Sequence, residues 1–295
     1  MELKIYGLKL GEVRENDDLP KIISQYAKKQ VGGLKEGDII VITSKIISKA
    51  RGYIFKEIVP SKRAKILSKF SGKPLELSEA IIRNSKEILA IIPLKDILRG
   101  SKFPEEFAQD KEAAKKILNE ESCIIVSETR DGRLATDAGV DISNVQNGFI
   151  YPPPDPDEEA SEIREEIKRV LGINVAVIIT DTEINIHRYG STDIAIGASG
   201  IEPVSRCFAS LDIYGKRKFG GVDIIVDEIA SAATLLMGQT SEGIPVVIIR
   251  GLNYKASNKG VKEIAIERKF IRKGLFLTLL KSTLYRIINS FCCWL

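Results

Sequence analysis

Apolar residues along the chain fall into short continuous runs, and amphipathic stretches lie between these runs. Continuous apolar runs are typical of buried strands, whereas apolar residues spaced three or four positions apart are typical of helices. Strands are therefore predicted over residues 3–6, 39–43, 88–92, 175–180 and 246–250. Helices are predicted after Asp18, which is followed by Pro20, and over residues 61–70, 74–84, 103–119, 158–171 and 224–237. A hairpin is predicted around residues 130–132.

The clearest break in this pattern is the segment 151–157, which contains three successive prolines. Successive prolines cannot continue a helix or a central strand, so the segment is predicted to be a linker. We expect residues 1–150 to form an N-terminal lobe and residues 151–253 to form a second lobe. Residues 254–295 are predicted to be a basic, amphipathic C-terminal extension.

The extension carries nine Lys or Arg residues and two Glu, although the whole chain has a net charge of only +4. The basic character therefore belongs to the tail, and the charge gives no reason to predict nucleic-acid binding by the body of the protein. A basic amphipathic helix can lie on an anionic membrane or dock a partner. We favour the alternative that it packs on the body or on a dimer mate.

The composition is that of an ordinary soluble globular protein, with 44% hydrophobic and 28% charged residues. The N-terminus has no apolar stretch of the kind found in signal peptides, and no apolar run reaches the ~20 residues of a membrane span. The four cysteines have no CxxC spacing, so they predict neither a zinc site nor a disulfide framework. These features predict a cytoplasmic protein.

Two acidic segments are candidates for a metal site. Asp181 and Thr182 follow the apolar run 175–180, where a sheet edge could present a carboxylate and a hydroxyl to a hard cation. Asp141 and Asn144 lie in a Gly-containing segment that could complete such a site. Each acidic segment could equally be a helix cap or a turn, so neither decides the matter alone.

Two further polar segments could contact phosphate groups. Ser44, Lys45 and Lys49 follow the strand at 39–43, and hydroxyl and ammonium groups suit phosphate oxygens, although an exposed loop would carry similar residues. The Gly-bounded loop 237–245 could surround a ligand with backbone N–H groups, or could simply connect a helix to a strand. The sequence has no P-loop motif, and His187, the single histidine, excludes sites built on histidine pairs.

Taken in order, these segments resemble the coenzyme F-420-0:L-glutamate ligase family over roughly residues 3–253. The motifs that carry the resemblance are Asp-Ala-Gly-Val-Asp-Ile-Ser-Asn at 137–144, Met-Gly at 237–238, Gly-Ile-Pro at 243–245 and Arg-Gly-Leu at 250–252. The resemblance implies a two-lobed α+β fold of mixed sheets and helices, and an intertwined homodimer. It also implies a GTP-dependent ligase, which adds L-glutamate by a γ-linkage to a deazaflavin coenzyme precursor through an acyl phosphate and releases GDP and phosphate.

The resemblance also assigns roles to individual residues. Two divalent cations, Mg²⁺ or Mn²⁺, are expected to bind Asp141, Asp181, Thr182 and Gln239. GTP is expected to lie against Leu8, Lys9, Leu10, Gly11, Ser44, Lys45, Lys49, Asn144, Met237, Gly238, Gln239, Thr240, Ser241, Glu242, Gly243 and Ile244. Asp181 and Arg188 are expected to act in catalysis, because a planar guanidinium suits a transferred phosphate or a carboxylate. A monovalent cation such as K⁺ is a further expectation.

The chain departs from the family pattern at Ile184 and Asn185, where Gly-Arg is common in the family. This departure leaves two alternatives open. The protein could be a paralogous nucleotide-dependent ligase that joins an amino acid to a different acyl acceptor. It could also be a nucleotide-binding regulatory protein without catalytic activity.

Overall fold

The protein is represented by a computed structural model, in which residues 2–103, 106–120, 122–185 and 188–292 are described. These residues form several sheets and helices, which confirms the predicted α+β class. The chain forms two compact units, Met1–Glu263 and Ile264–Leu295.

The described strands and helices follow the predicted order closely. The strands are β1 (Lys4–Leu8), β2 (Ile39–Thr43), β3 (Ile54–Phe55), β4 (Ser85–Ile92), β5 (Ile124–Thr129), β6 (Leu134–Thr136), β7 (Phe149–Ile150), β8 (Ala176–Ile184), β9 (Ser191–Ser199) and β10 (Val246–Arg250). The helices are α1 (Leu19–Val31), α2 (Ser44–Arg51), α3 (Lys62–Ser71), α4 (Leu75–Asn84), α5 (Leu94–Ile97), α6 (Lys111–Glu120), α7 (Pro156–Leu171), α8 (Ile225–Met237) and α9 (Arg268–Cys292).

Five of these strands form a central sheet in the order β1-β10-β2-β8-β9. Strands β2 and β8 run parallel, with Thr43 opposite Thr180, and the other neighbours in this sheet run antiparallel. The strands come from both sides of residue 150, and the division into two lobes at that residue stays a prediction. The parallel pair matters for the site, because the residue after β2 and the last residues of β8 lie at the same edge.

Helices cover both faces of the central sheet. Ile40, Val177 and Ile248 pack in one core with residues of α1 and α7. The alternate residues, such as Val41 and Ile178, are equally buried, and α8 contacts the sheet. Coverage of both faces explains why these strands are continuous apolar runs, because neither face needs polar residues.

A second, smaller core lies beside this sheet. Strands β4, β5 and β6 form a three-stranded antiparallel sheet, and β5 and β6 form the predicted hairpin. Leu67 of α3 and Ile81 of α4 pack there against Ile125, while β3 and β7 pair in a short ribbon. This region supplies the turn that carries Asp141.

Local capping interactions fix where several helices begin. Asp18, Ser61 and Asp155 each accept a hydrogen bond from the backbone N–H three residues later, which satisfies a free donor of the first turn. Helix α7 thus begins at Pro156, two residues earlier than predicted. The predicted helix over 103–119 was wrong in its start, because Asp110 accepts a hydrogen bond from the Ala113 N–H and α6 begins only at Lys111.

Two differences from the sequence prediction affect the site. Strand β8 does not end at Thr180 but continues to Ile184, because residues 180–184 pair with β9. Strand β9 was not predicted, since its polar first residues, from Ser191 to Asp193, hide the apolar run that follows. Asp181 and Thr182 therefore lie within a paired strand rather than in the loop after it.

The second compact unit consists mainly of α9, and the predicted extension over residues 254–295 stays a prediction. Residues 254–263 belong to the first unit, where Asp157 accepts hydrogen bonds from the backbone N–H groups of Val261 and Lys262. Within the described ranges, no helix has both the length and the apolar character that a bilayer crossing requires.

Candidate functional site

A cavity of about 610 Å³ lies at the sheet edge where β2 ends and β8 continues. Its described walls come from residues 10–11 after β1, the start of α2, the turn at 136–144, the β8–β9 pair and the loop 237–245. The predicted nucleotide and cation residues that line it are Leu10, Gly11, Ser44, Lys45, Lys49, Asp141, Asn144, Asp181, Thr182, Met237, Gly238, Gln239, Thr240, Ser241, Glu242, Gly243 and Ile244. Segments that are far apart in the sequence thus meet at one cavity.

The start of α2 presents Ser44 and Lys45 to this cavity. The first N–H groups of a helix have no partner within the helix, and together with the helix dipole they attract anions. Burial lowers the pKa of the Lys49 ammonium, one turn further on, and the Lys45 charge adds to this effect while Glu12 opposes it. An anion in the cavity would favour the charged form of Lys49.

The turn at 137–144 is a strained segment that Asp137 anchors. Asp137, Ala138 and Gly139 have φ angles of 50°, 55° and 70°, which place them in the left-handed region. The Asp137 carboxylate accepts a hydrogen bond from the Ile125 N–H at 3.1 Å and lies 2.9 Å from the Nζ of buried Lys73. The position of Asp141 thus depends on the smaller core.

Asp141 is held by Lys45 and Ser143. The Lys45 Nζ lies 2.6 Å from Asp141 Oδ2, and Ser143 donates to the carboxylate from its N–H at 2.7 Å and from its hydroxyl at 2.8 Å. Burial alone would raise the pKa of Asp141, but the Lys45 and Ser143 contacts outweigh it and hold the pKa below its ordinary value. Asn144 donates to the Thr240 carbonyl at 3.2 Å, which joins this turn to the loop 237–245.

The opposite wall is more acidic. Burial raises the pKa of Asp181 to about 7, Glu183 and Asp193 add to this effect, and Arg133 opposes it. Thr182 donates to Asp193 Oδ1 at 2.8 Å, and Gln239 Nε2 donates to the same oxygen at 3.0 Å. Buried Asp193 therefore fixes the side chains of Thr182 and Gln239 beside Asp181.

The side chains on these walls suit a divalent cation of the Mg²⁺ type. Asp141, Asp181, Thr182 and Gln239 offer carboxylate, hydroxyl and amide oxygens, which hard cations prefer. A cation would also stabilise the ionised form of Asp181, whose pKa is raised chiefly by burial. No group of three His, Cys, Asp or Glu side chains in the described part of the chain is arranged as a ready metal centre. Phosphate oxygens or water would have to complete the coordination.

Three predicted residues do not line this cavity. The Leu8 side chain is fully buried in the main core, and the Lys9 N–H and carbonyl are hydrogen-bonded to the side chain of Gln30. Arg188 is exposed in the turn between β8 and β9. His187, expected to be a packing or surface residue, lies outside the described residues. The roles of Leu8, Lys9 and Arg188 stay predictions.

Sequence reasoning missed Asp193 and Glu183. Asp193 is directly opposite Thr182 in the β8–β9 register, and Glu183 accepts a 2.9 Å hydrogen bond from the Thr136 hydroxyl. One signal could have revealed Asp193, because it begins the apolar run of β9 just as Asp181 ends that of β8. Two such runs joined by a short polar segment predict a hairpin with its acids side by side.

Fold, cavity and donor groups define an α+β protein whose cavity carries side chains that suit a polyanion and a hard cation. Residues 7–251 match the family model described as F420-0:Gamma-glutamyl ligase. The chain belongs to this family.

Proteins named coenzyme F420:L-glutamate ligase are similar to it along most of its length. The protein from Archaeoglobus fulgidus is 35% identical over 276 residues, covering 92% of this chain and 96% of its own. Those from Methanosarcina mazei and Methanopyrus kandleri are 34% and 35% identical, covering 83% and 82% of this chain and 84% and 83% of their own.

Proposed function

We propose that this protein is a GTP-dependent ligase that adds L-glutamate by a γ-linkage to the deazaflavin coenzyme F-420-0, with an acyl phosphate as intermediate. Family membership supports the ligase activity and the glutamate and coenzyme substrates. The observation that carries the GTP-dependent chemistry is the cavity in which basic Lys45 and Lys49 face acidic Asp181. A site with both signs of charge suits a triphosphate bound together with a divalent cation.

The proposed reaction has two steps. A carboxylate oxygen of the acceptor attacks the γ-phosphorus of GTP, so that a P–O bond forms to the acceptor and the P–O bond to GDP breaks. The amine nitrogen of glutamate then attacks the acyl carbon, a C–N bond forms, and phosphate leaves while the nitrogen loses a proton. Neither step needs a covalent bond to the protein, which fits a cavity without a described Cys or His in its lining.

The side chains of the cavity would bind the phosphates, hold the cations and position one another. Ser44, Lys45 and the first N–H groups of α2 would bind phosphate oxygens, and the loop 237–245 would cover the nucleotide. Asp141, Asp181, Thr182 and Gln239 would hold two Mg²⁺ or Mn²⁺ ions, which when bound neutralise charge on the transferred phosphoryl group. Asp193 would keep Thr182 and Gln239 in position. Arg188 would assist if the β8–β9 turn brings it to the substrate.

The oligomeric state, the cellular location and the monovalent cation are proposed from what membership of the family implies. The protein would act in the cytoplasm as an intertwined homodimer of two-lobed protomers, and a monovalent cation such as K⁺ would support turnover. The large exposed side chains at residues 208–224, which include Ile213 and Phe219, are consistent with a surface that a second copy covers.

One assay tests the reaction. The full-length protein is incubated with GTP, Mn²⁺, L-glutamate and coenzyme F-420-0, and GDP release and product mass are followed. We expect GDP release that depends on both acceptor substrates, and a product heavier by one glutamate residue. Substrate-dependent GDP release without a glutamate adduct would reject the proposed activity.

A second candidate is a ligase with a different acyl acceptor. Ile184 lines the cavity beside the acids and leaves 40% of its surface exposed, so the cavity wall there is apolar and without the arginine common in the family. Formation of a glutamate adduct on another carboxylic acid, with none on coenzyme F-420-0, would favour this candidate. Binding of GTP without turnover on any acceptor would instead favour a regulatory protein.

A further inference from the structure

Helix α9 lies beyond the residues that match the ligase family. The match covers residues 7–251, whereas α9 begins at Arg268 and belongs to the second compact unit. Residues 264–295 carry six Lys or Arg and one Glu, and their net charge of +5 leaves −1 for the rest of a chain whose total is +4. The basic character of the protein therefore resides in this unit, and the proposed ligase activity does not account for it.

Helix α9 has an apolar stripe along one side. Successive residues of a helix are rotated by about 100°, so Phe270, Leu277, Leu280, Leu284 and Ile288 fall within about 80° of its circumference. All of these except Leu277 leave more than 50% of their surface exposed. Exposure of so many large apolar side chains is unfavourable in water and is typical of a surface that binds another apolar surface.

Basic residues lie both opposite the stripe and beside it. Arg272 and Arg286 are at helical positions on the opposite side, whereas Lys273 lies within the stripe and Lys281 at its edge. Both lysine side chains are exposed. A lysine can lay its four-carbon stem along an apolar surface while its ammonium group reaches water or a phosphate. The lysines are therefore compatible with burial of the stripe in a lipid surface.

The charges of α9 distinguish between two surfaces that could cover the stripe. Helices that pair with each other normally place opposite charges beside their apolar seam, but the sequence of α9 contains no Asp or Glu. The acid nearest in sequence, Glu267, precedes the helix and lies 2.6 Å from Lys269 Nζ. An anionic bilayer offers hydrocarbon and phosphate groups together, and it attracts basic residues to its surface. The charges therefore favour a bilayer over a second copy of the helix.

We propose that α9 binds the surface of a membrane that contains anionic phospholipids. The helix would lie in the plane of the interface, with Leu280, Leu284 and Ile288 among the acyl chains and the basic groups at the phosphates. This binding is independent of the proposed ligase activity, because no residue of α9 lines the large cavity. Packing on the body or on a dimer mate, which the sequence alone favoured, is the alternative.

Co-sedimentation of the full-length protein with vesicles tests the role of charge. Vesicles of equal parts phosphatidylcholine and phosphatidylglycerol should bind the protein at least about 10-fold more tightly than phosphatidylcholine alone, and binding should weaken in about 0.5 M NaCl. Lys273→Gln combined with Lys281→Gln should lower the partition coefficient about 10- to 30-fold, since each basic residue contributes about 5-fold. The matched control, Lys62→Gln combined with Lys65→Gln, removes two exposed lysines from α3 and should bind like the wild type.

Two leucine variants test the role of the stripe. Leu284→Gln changes the stripe itself, and the matched control Leu279→Gln changes a leucine that is 71% exposed at a helical position on the opposite side. Burial of one leucine side chain corresponds to about 10-fold in partition, so Leu284→Gln should bind about 10-fold more weakly and Leu279→Gln within about 3-fold of wild type. The fluorescence of Trp294, the only tryptophan in the sequence, should shift to shorter wavelength on anionic vesicles. This shift should need about 10-fold more lipid in Leu284→Gln.

Vesicle binding that does not depend on α9 would overturn the proposal. A wild-type protein that leaves anionic vesicles unbound would do so, and so would equal binding of the wild type and the variant with Lys273→Gln and Lys281→Gln. A lower mass of Leu284→Gln in analytical ultracentrifugation without lipid, together with unchanged vesicle binding, would also overturn it, because the stripe would then join two copies of the chain. Vesicle binding as expected without any ligase activity would reject the proposed function and support this inference.

Discussion

Replacing Asp181 by Asn is expected to stabilise the metal-free protein while it abolishes the proposed activity. Burial raises the pKa of Asp181 to about 7, so the folded state favours the protonated carboxyl group. Asn has nearly the same shape and never carries the charge. Removing the charge therefore removes the unfavourable free energy of a buried, ionised carboxylate, which destabilises the folded protein at neutral and basic pH.

The magnitude follows from the difference in pKa between the folded and unfolded states. An unfolded Asp titrates near 3.9, and a rise of about three units corresponds to at most about 4 kcal/mol. Because the folded pKa is the higher one, the contribution of Asp181 to the free energy of unfolding is fully present below about pH 4 and is lost as the pH rises through 7. Solvent reaches part of this side chain, so we expect Asp181→Asn to gain about 1–2 kcal/mol at pH 8.

Urea denaturation in the presence of a chelator, at pH 5 and at pH 8, measures this gain. Asp96→Asn, at an exposed position on the short α5, is the matched control for the loss of a carboxylate, and its gain in stability at pH 8 should be smaller than that of Asp181→Asn. Calorimetric titration of Mn²⁺ should show weaker binding to Asp181→Asn at both pH values. A loss of stability at pH 8, or a gain that does not change between the two pH values, would refute the reasoning.

Three further changes test other parts of the structure. Lys45→Met removes the partner of Asp141 and the proposed phosphate contact, so the KM for GTP should rise about 10- to 100-fold in steady-state assays. Asp193→Asn leaves Thr182 and Gln239 with a weaker acceptor, and kcat/KM should fall about 10- to 100-fold with the circular dichroism spectrum unchanged. Gly139→Ala combines a φ of +70° with a 2.6 Å approach to Pro152, and should lower the free energy of unfolding by about 1–3 kcal/mol in urea.

For each of these three substitutions, one result would contradict the prediction. An unchanged KM for GTP would remove Lys45 from the nucleotide site. If Asp193→Asn lowered the stability as much as the activity, we would conclude that Asp193 has only a structural role. A Gly139→Ala protein as stable as the wild type would show that the turn adapts to a side chain.

The interior strands were predictable from the sequence because helices cover both faces of the sheet. Strands β2 and β10, buried on both faces, are continuous apolar runs with the predicted bounds. The helix starts at Asp18 and Ser61 were equally visible, since their capping side chains act within three residues. Local interactions of this kind can be recognised from a few consecutive residues of the sequence.

The full length of β8 and the existence of β9 could not be predicted, because both depend on pairing between strands. Residues 180–184 are polar or exposed and become a strand only because β9 supplies hydrogen-bond partners. Asp181 and the segment at 44–49 were predicted to belong to the site because they follow predicted strands. Asp193 was missed because its role depends on the register of β9 against β8.

The position of β10 in the central sheet has a consequence for synthesis of the protein. This strand lies between β1 and β2, yet among the described strands it is the last to be made. Until residue 250 leaves the ribosome, β1 and β2 lack the neighbour that joins them, and their free edges can pair with other chains. The sheet can therefore close only after nearly the whole first unit has been translated, so folding is expected to be largely post-translational and to profit from chaperones that cover the open edges.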